Sequence, residues 1–335
     1  MGLCGRFLTE TTGNEPVSNV TISMDAAVDM LLCAFDRLSL VALGERHWAR
    51  EDAAFRLSLI HHPAFAQKVN DIVVEFGNPL YQALLDRFVN GGEVESSDLQ
   101  KVWQDTTQPG AWDSPVYEEF IVAVRLLNAG SAPDHRIRVL AADYPVDWRV
   151  AASAHGSAFH ARDEFAASLT RREVLDQGRK ALMIFGAAHL YRNRPGTVTE
   201  LLRNHAGAES FVVVPAGGPN LPDPFVTIEA TAMRPALLST NGTLAQLEAA
   251  DVLEQGGKRI KIVDGRPVFE NGKPVFIPVF EAGVKLGDLV DACLYFGDKP
   301  PEFARPSPAL YGGTQYGLEV QRRRAVLRAS LGWPP

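Results

Sequence analysis

LSLVALGERH, residues 38–47, is an apolar run that halts at Gly44 and passes at once into Glu45, Arg46 and His47. Three other runs end in the same way. DIVVEF (71–76) sets Glu75 between Val74 and Phe76, RIRVLAAD (136–143) stops at Asp143 and Tyr144, and ALMIFGAAH (181–189) reaches His189. The runs are short and rich in Leu, Val and Ile, and stretches of helical spacing separate them, as for parallel strands buried on both faces. The expected fold class is therefore α/β, with a mainly parallel central sheet flanked by helices. Open sheets of this kind bind ligands outside the carboxyl ends of their strands. Glu45, His47, Glu75, Asp143 and His189 are thus candidates for one pocket.

The segments between the runs support that reading. Residues 25–35 and 50–60 repeat apolar positions at helical spacing, the second through Ala53, Ala54, Leu57 and Ile60. Pro79 suits the first turn of a helix over 80–89, and 115–127 reads as an amphipathic helix closed by Gly130. Residues 159–176 form a polar-faced helix, after which 181–185, 197–203 and 211–214 make a β-α-β unit. Beyond Pro215 the texture changes, and 216–285 reads as a loop-rich insertion within a single domain spanning 1–335. Inside it, 258–280 carries Asp264-Gly265 and Asn271-Gly272, two hairpin-turn pairs that predict an exposed β-meander. VDACLYF (290–296) reads as a strand returning to the core sheet, ahead of a last helix at 315–331. The only internal echo is Gly-x-x-His after an apolar strand, at 44–47 and again at 186–189.

At 46% hydrophobic and 22% charged, the 335 residues suffice for a sizeable core. A net charge of −7 argues against a nucleic-acid partner. The one basic cluster, Arg322, Arg323 and Arg324, follows Glu319 on a solvated helix face. No apolar run has the length of a membrane span, and the first residues lack the apolar stretch of a secretory signal. A cytoplasmic protein with no membrane partner is expected. Cys4, Cys33 and Cys293 lack CxxC spacing, and the last two sit in apolar runs as small core residues.

Glu45 and His47 just beyond a glycine put a carboxylate beside an imidazole. That pairing serves general acid–base catalysis, and it equally serves a divalent metal. Glu75 is the sharpest single signal, because a carboxylate among Val74 and Phe76 must be paired or pay a large desolvation cost. Its charge is expected to be balanced by a metal or a protonated histidine rather than by an arginine. Glu45, His47, Glu75 and His189 are the candidate ligands of one divalent ion (Mn, Fe, Zn or Co). Asp143 is a supporting carboxylate, and Asn78, Tyr144, Arg46 and Arg192 are candidates to bind substrate. HExxH, the P-loop, GxGxxG and the Gly-x-Ser-x-Gly elbow are all missing.

Gly44-Glu45-Arg46-His47, Glu75 closing the next strand, and Gly186-Ala187-Ala188-His189 with Gly196 before a helix resemble a known superfamily. It joins ChaN-type haem-uptake proteins, erythromycin-esterase-like hydrolases and Tiki/TraB-type proteins, and the ChaN-like Gly-Glu-x-His and Gly-x-x-His pattern is the nearest. The resemblance implies an α/β fold with Glu and His at the strand ends. It also implies hydrolysis of an ester or peptide bond in a small-molecule or peptide substrate, with or without a metal. The alternative it implies is a haem- or metal-binding carrier, with Tyr144, Tyr191 or a histidine as axial ligand. A homodimer is a further expectation.

Overall fold

Leu40–Glu45 (β1), Asp71–Val74 (β2), Arg138–Ala141 (β3), Ala181–Gly186 (β4) and Ser210–Ala216 (β5) are all strands, and every pairing among them is parallel. The computed structural model describes residues 24–150, 161–219, 221–223, 225, 234–253, 258–263, 266–270 and 273–330. Among these, the main sheet has seven strands in the order β3-β2-β4-β1-β5-β13-β6. Here β6 is Ala236–Ser239 and β13 is Ala292–Tyr295. The expected returning strand is β13, which pairs parallel to β5 through Ala292 opposite Val213. The segment read as an insertion adds an edge strand to the core sheet, β6, antiparallel to β13.

Two helical layers cover the sheet, and strand alternation decides which residue faces which. Val41 and Leu43 enter a core with helices α1 (Met24–Ala34), α2 (Arg50–His61), α3 (Gln82–Val89) and α4 (Pro115–Ala129). Leu40 and Ala42 face the other core, with α5 (Arg162–Glu173) and α6 (Val198–Ala206). β1, β2 and β4 have no exposed residue. Continuing the alternation, Glu45 points toward α2 and α4, whereas Glu75, in step with Val73, points toward α5. The last helix, α7 (Gln315–Ser330), ties down the loop after residue 104, its Arg323 and Arg324 donating to the carbonyls of Gln104 and Pro109.

The late segment is antiparallel, as turn chemistry predicts, but it is a nest of pairs rather than one meander. Strands β7 (Lys258–Ile260) and β12 (Phe276–Pro278) pair around two hairpins. These are β8 (Ile262–Val263) with β9 (Arg266–Pro267), and β10 (Phe269–Glu270) with β11 (Lys273–Pro274). The two hairpin-turn pairs themselves lie outside the described residues. Three backbone bonds close a ring at seven-residue intervals. Lys261 N–H donates to Val275 O (2.7 Å), Val268 N–H to Lys261 O (2.9 Å) and Val275 N–H to Val268 O (2.9 Å). This short repeat escaped the sequence reading. Cys293 is a buried free thiol, as expected. Cys33 is instead half-buried and disulfide-bonded. No helix among the described residues is long and apolar enough to cross a membrane.

Candidate active site

β3, β2, β4 and β1 are consecutive in the sheet, so their carboxyl ends lie side by side. Glu45 and Gly186 are register partners at the ends of β1 and β4, and Glu75 follows β2 directly. This adjacency brings together four of the predicted residues, Glu45, His47, Glu75 and His189, with Asp143 beside them.

His47 stands on Glu45, its Nδ1 2.8 Å from Oε1. The same oxygen accepts from the Tyr117 hydroxyl at 2.8 Å, and Arg56 forms a salt bridge to the other oxygen. Glu45 and Arg56 are both buried, and burial lowers the Arg56 pKa to about 10. The His47 ring packs edge-on against Trp112, with centroids 4.7 Å apart. Its Nε2 has no hydrogen-bond partner among the described residues. Enclosure lowers its pKa below 6.5, more than the Glu75 charge raises it. The turn after it is strained: Trp48 takes φ 71°, a left-handed conformation that aromatic residues avoid. Its indole N–H on Ala111 O and its own carbonyl, accepting from Ala304 N–H, hold it there.

Glu75 is buried and accepts from the Gly186 N–H at 2.7 Å and from Arg162 Nη2 at 2.6 Å. Arg162 also donates through Nε to Asp143 at 2.8 Å, and Gln108, with its amide oxygen toward the guanidinium, caps it at 2.6 Å. The expectation that no arginine balances Glu75 is therefore corrected. An arginine at the start of α5 bridges it to Asp143. His189 lies on the far side of Glu75, Nε2 3.3 Å from Oε1, and its Nδ1 is 2.6 Å from Asp163. Burial acts to lower the His189 pKa, but Glu75 and Asp163 outweigh it and the net direction is upward. For Glu75, burial acts to raise the pKa, but His189, Arg162, His47 and the Gly186 N–H bring it down to about 2. Asp143 is locked further by Thr107, through its backbone N–H at 2.6 Å and its hydroxyl.

Gly186 is the point where the two histidine systems meet. A Cβ there would lie 2.9 Å from His47 Cε1, 3.1 Å from Nε2 and 3.3 Å from Glu75 Oε2. Only a glycine permits this approach at a backbone that is otherwise unremarkable, with φ −53°.

These residues do not suit the divalent ion that the sequence suggested. Glu45 Oε2 and Glu75 Oε1 are each ion-paired to a guanidinium group, and the other oxygens accept from the Tyr117 hydroxyl and the Gly186 N–H. No group of three or more His, Cys, Asp or Glu among the described residues is arranged to hold a metal. The candidate substrate-binding residues divide. Arg46 is held by Asp52, with Nη2 at 2.6 Å, and lies over the Phe296 ring. Asn78 is fully buried and spends its side chain on the fold, donating to Asp105 O (2.7 Å) and Val146 O (2.8 Å) and accepting from Leu80 N–H (3.0 Å). Arg192 reaches Asp291, just before β13, and lines a cavity with Leu38 and Phe211 at the amino edge of the sheet. It lies away from the cluster. Tyr144 packs against Phe165 at a cleft between α5 and α6. The sequence reading missed Arg162, Arg56, Tyr117, Thr107, Gln108 and Asp163. The one signal for any of them was the need of Glu75 for a cation.

Fold and site together define an α/β protein with two carboxylate-held histidines at the carboxyl edge of its sheet. No family model matches the chain, and no curated protein matches it. Among solved structures, a Bacillus cereus protein superposes with a TM-score of 0.52 at 11% identity, over 88% of this chain and 96% of its own. A succinoglycan biosynthesis protein gives 0.51 at 10% identity, over 88% and 95%. At such identities the likeness is one of fold alone. ChaN of Campylobacter jejuni, solved with cofacial haem, gives 0.38 at 16% identity over 56% of this chain and 84% of its own, too loose a match to bear on chemistry.

Proposed function

We propose that the protein is a hydrolase of an ester or amide bond in a small-molecule or peptide substrate, with His47 as general base and His189 as general acid. The observation that carries this reading is the pair of imidazoles flanking Glu75 in opposite environments, beside the side-chain-free face of Gly186. Paired titratable groups whose surroundings push their pKa values apart mark an acid and a base. Glu45 accepts the Nδ1–H of His47, which leaves the lone pair on Nε2. That Nε2 takes a proton from water as the hydroxide oxygen bonds to the carbonyl carbon. The bond to the leaving group then breaks, and His189, protonated between Asp163 and Glu75, gives its Nε2 proton to the departing oxygen or nitrogen. Arg162 holds Glu75 and Asp143 in place throughout.

The test is a panel of chromogenic esters and amides with wild type and His47→Gln. The profile of kcat/KM should be bell-shaped, with its acid limb below pH 6.5 (His47 must be neutral) and its alkaline limb above (His189 must be charged). His47→Gln should lose at least about a hundredfold in rate. Absence of turnover throughout the panel, or equal rates in the variant, would count against the proposal. Haem is the alternative raised by the ChaN resemblance. Tyr191 is enclosed, 3% exposed and packed on Phe280, which leaves Tyr144 and the histidines, His47 among them, as candidate ligands. A Soret band that appears on hemin titration and is lost in His47→Gln would favour that reading.

A further inference from the structure

A cleft of about 510 Å³ runs between α5 and α6, a volume suited to a small-molecule arm. Its near end is formed by Tyr144 and Ala161, the chain neighbours of Asp143 and Arg162, so it opens beside the carboxylate–arginine cluster. From there Ala161, Phe165, Ser168 and Arg171 follow one another along one face of α5. Ten residues at 1.5 Å each give a length of about 15 Å. Leu201 and Leu202 of α6 make the opposite wall, and the edge-on Tyr144–Phe165 pair forms an apolar mouth. The charge is graded along this length. Glu164 stands in the first turn of α5, whereas Arg171 stands at the far end, beside His205. Arg171 is half exposed, and its ion pair with Asp176 spans 4.0 Å, which leaves it open to a second anion.

We propose that this cleft holds an apolar arm of the substrate that ends in an anionic group remote from the bond cleaved. The word substrate rests on the hydrolase reading above; the length, apolar walls and charge gradient of the cleft do not. An anion is repelled from Glu164 and attracted to Arg171. The arm therefore lies with its anion away from His47 and His189.

The probe is sodium octanoate, titrated calorimetrically against the full chain beside butanoate and octylammonium. Affinity should rise by up to about fourfold per added methylene from butanoate to octanoate. Octylammonium should bind more weakly than octanoate. Ser168 is solvent-exposed, so Ser168→Trp can fill the cleft without disturbing the core, and with an unchanged melting temperature it should abolish the dependence on chain length. His47→Gln should bind octanoate as wild type does. Equal binding of octylammonium, no gain with chain length, or octanoate binding untouched by Ser168→Trp would overturn the assignment. Octanoate bound in this cleft with no ester or amide hydrolysed would refute the hydrolase reading alone. Turnover with octanoate indifferent to Ser168→Trp would refute the cleft alone.

Discussion

Replacing Glu75 by Gln removes one charge from the centre of the site and keeps the shape of the side chain, including an oxygen that can still accept from the Gly186 N–H. The folded-state carboxyl titrates at about 2 against an ordinary 4.5. A carboxyl whose pKa is depressed by folding stabilises the protein fully above its unfolded pKa, and that contribution is lost as the pH falls through the folded value. At about 1.4 kcal/mol per pH unit, the interval corresponds to roughly 3 kcal/mol. The loss should stay near the lower end of the roughly 3–5 kcal/mol seen when a buried pair loses one member. The reason is that neither cation is orphaned: Arg162 keeps Asp143 at 2.8 Å, and His189 keeps Asp163 at 2.6 Å. Urea unfolding of wild type and Glu75→Gln between pH 2 and 7 measures the difference. Wild type should be more stable by about 3 kcal/mol above pH 4.5, with the two curves converging toward pH 2. A gap that does not change with pH, or no gap at neutrality, would refute the reasoning.

Other substitutions separate the site from its supports. Gly186→Ala would set a methyl group 2.9 Å from His47 Cε1 and 3.3 Å from Glu75 Oε2. It should displace the imidazole and abolish turnover while costing about 1–3 kcal/mol in a denaturant melt. Tyr117→Phe removes one donor to Glu45, and should cost about 1 kcal/mol and move the titration of His47 in an NMR experiment. Asn78→Ala strips three hydrogen bonds from a fully buried side chain. It should cost about 3 kcal/mol in unfolding free energy while leaving both histidine titrations where they are.

The sheet was legible because a doubly covered parallel strand needs a continuous apolar run, and β1, β2, β4, β5 and β13 each have one. The side-chain cluster at the carboxyl edge was legible for the same reason seen from the other side. Glu45, Glu75 and Asp143 stand where a core would tolerate a carboxylate only with a partner. The partners themselves were hidden. Arg162 lies 87 positions from Glu75, at the head of a helix in which five of the other eleven residues are charged, so it reads as part of a solvated face. Arg56 is likewise one basic residue on α2 among Arg50, Glu51 and Asp52 until the strand end meets it. Without these two guanidinium groups in view, a set of Glu and His looks like a metal site. Arg192 misled in the opposite sense. It is only three residues beyond His189, yet its loop carries its long side chain to the amino edge. β6 was missed because it lies between Pro235 and Asn241-Gly242, where the run ALLS reads as part of the Pro- and Gly-rich stretch around it.

The central claim is that one histidine of the site is held neutral and the other charged. Histidine-selective NMR titration of the intact protein tests it, with His47→Gln and His189→Gln to assign the signals. His47 should titrate below 6.5 as the Nδ1–H tautomer, with its proton toward Glu45, and His189 should titrate above 6.5. The reverse order, or two rings titrating together at 6.5, would contradict the account.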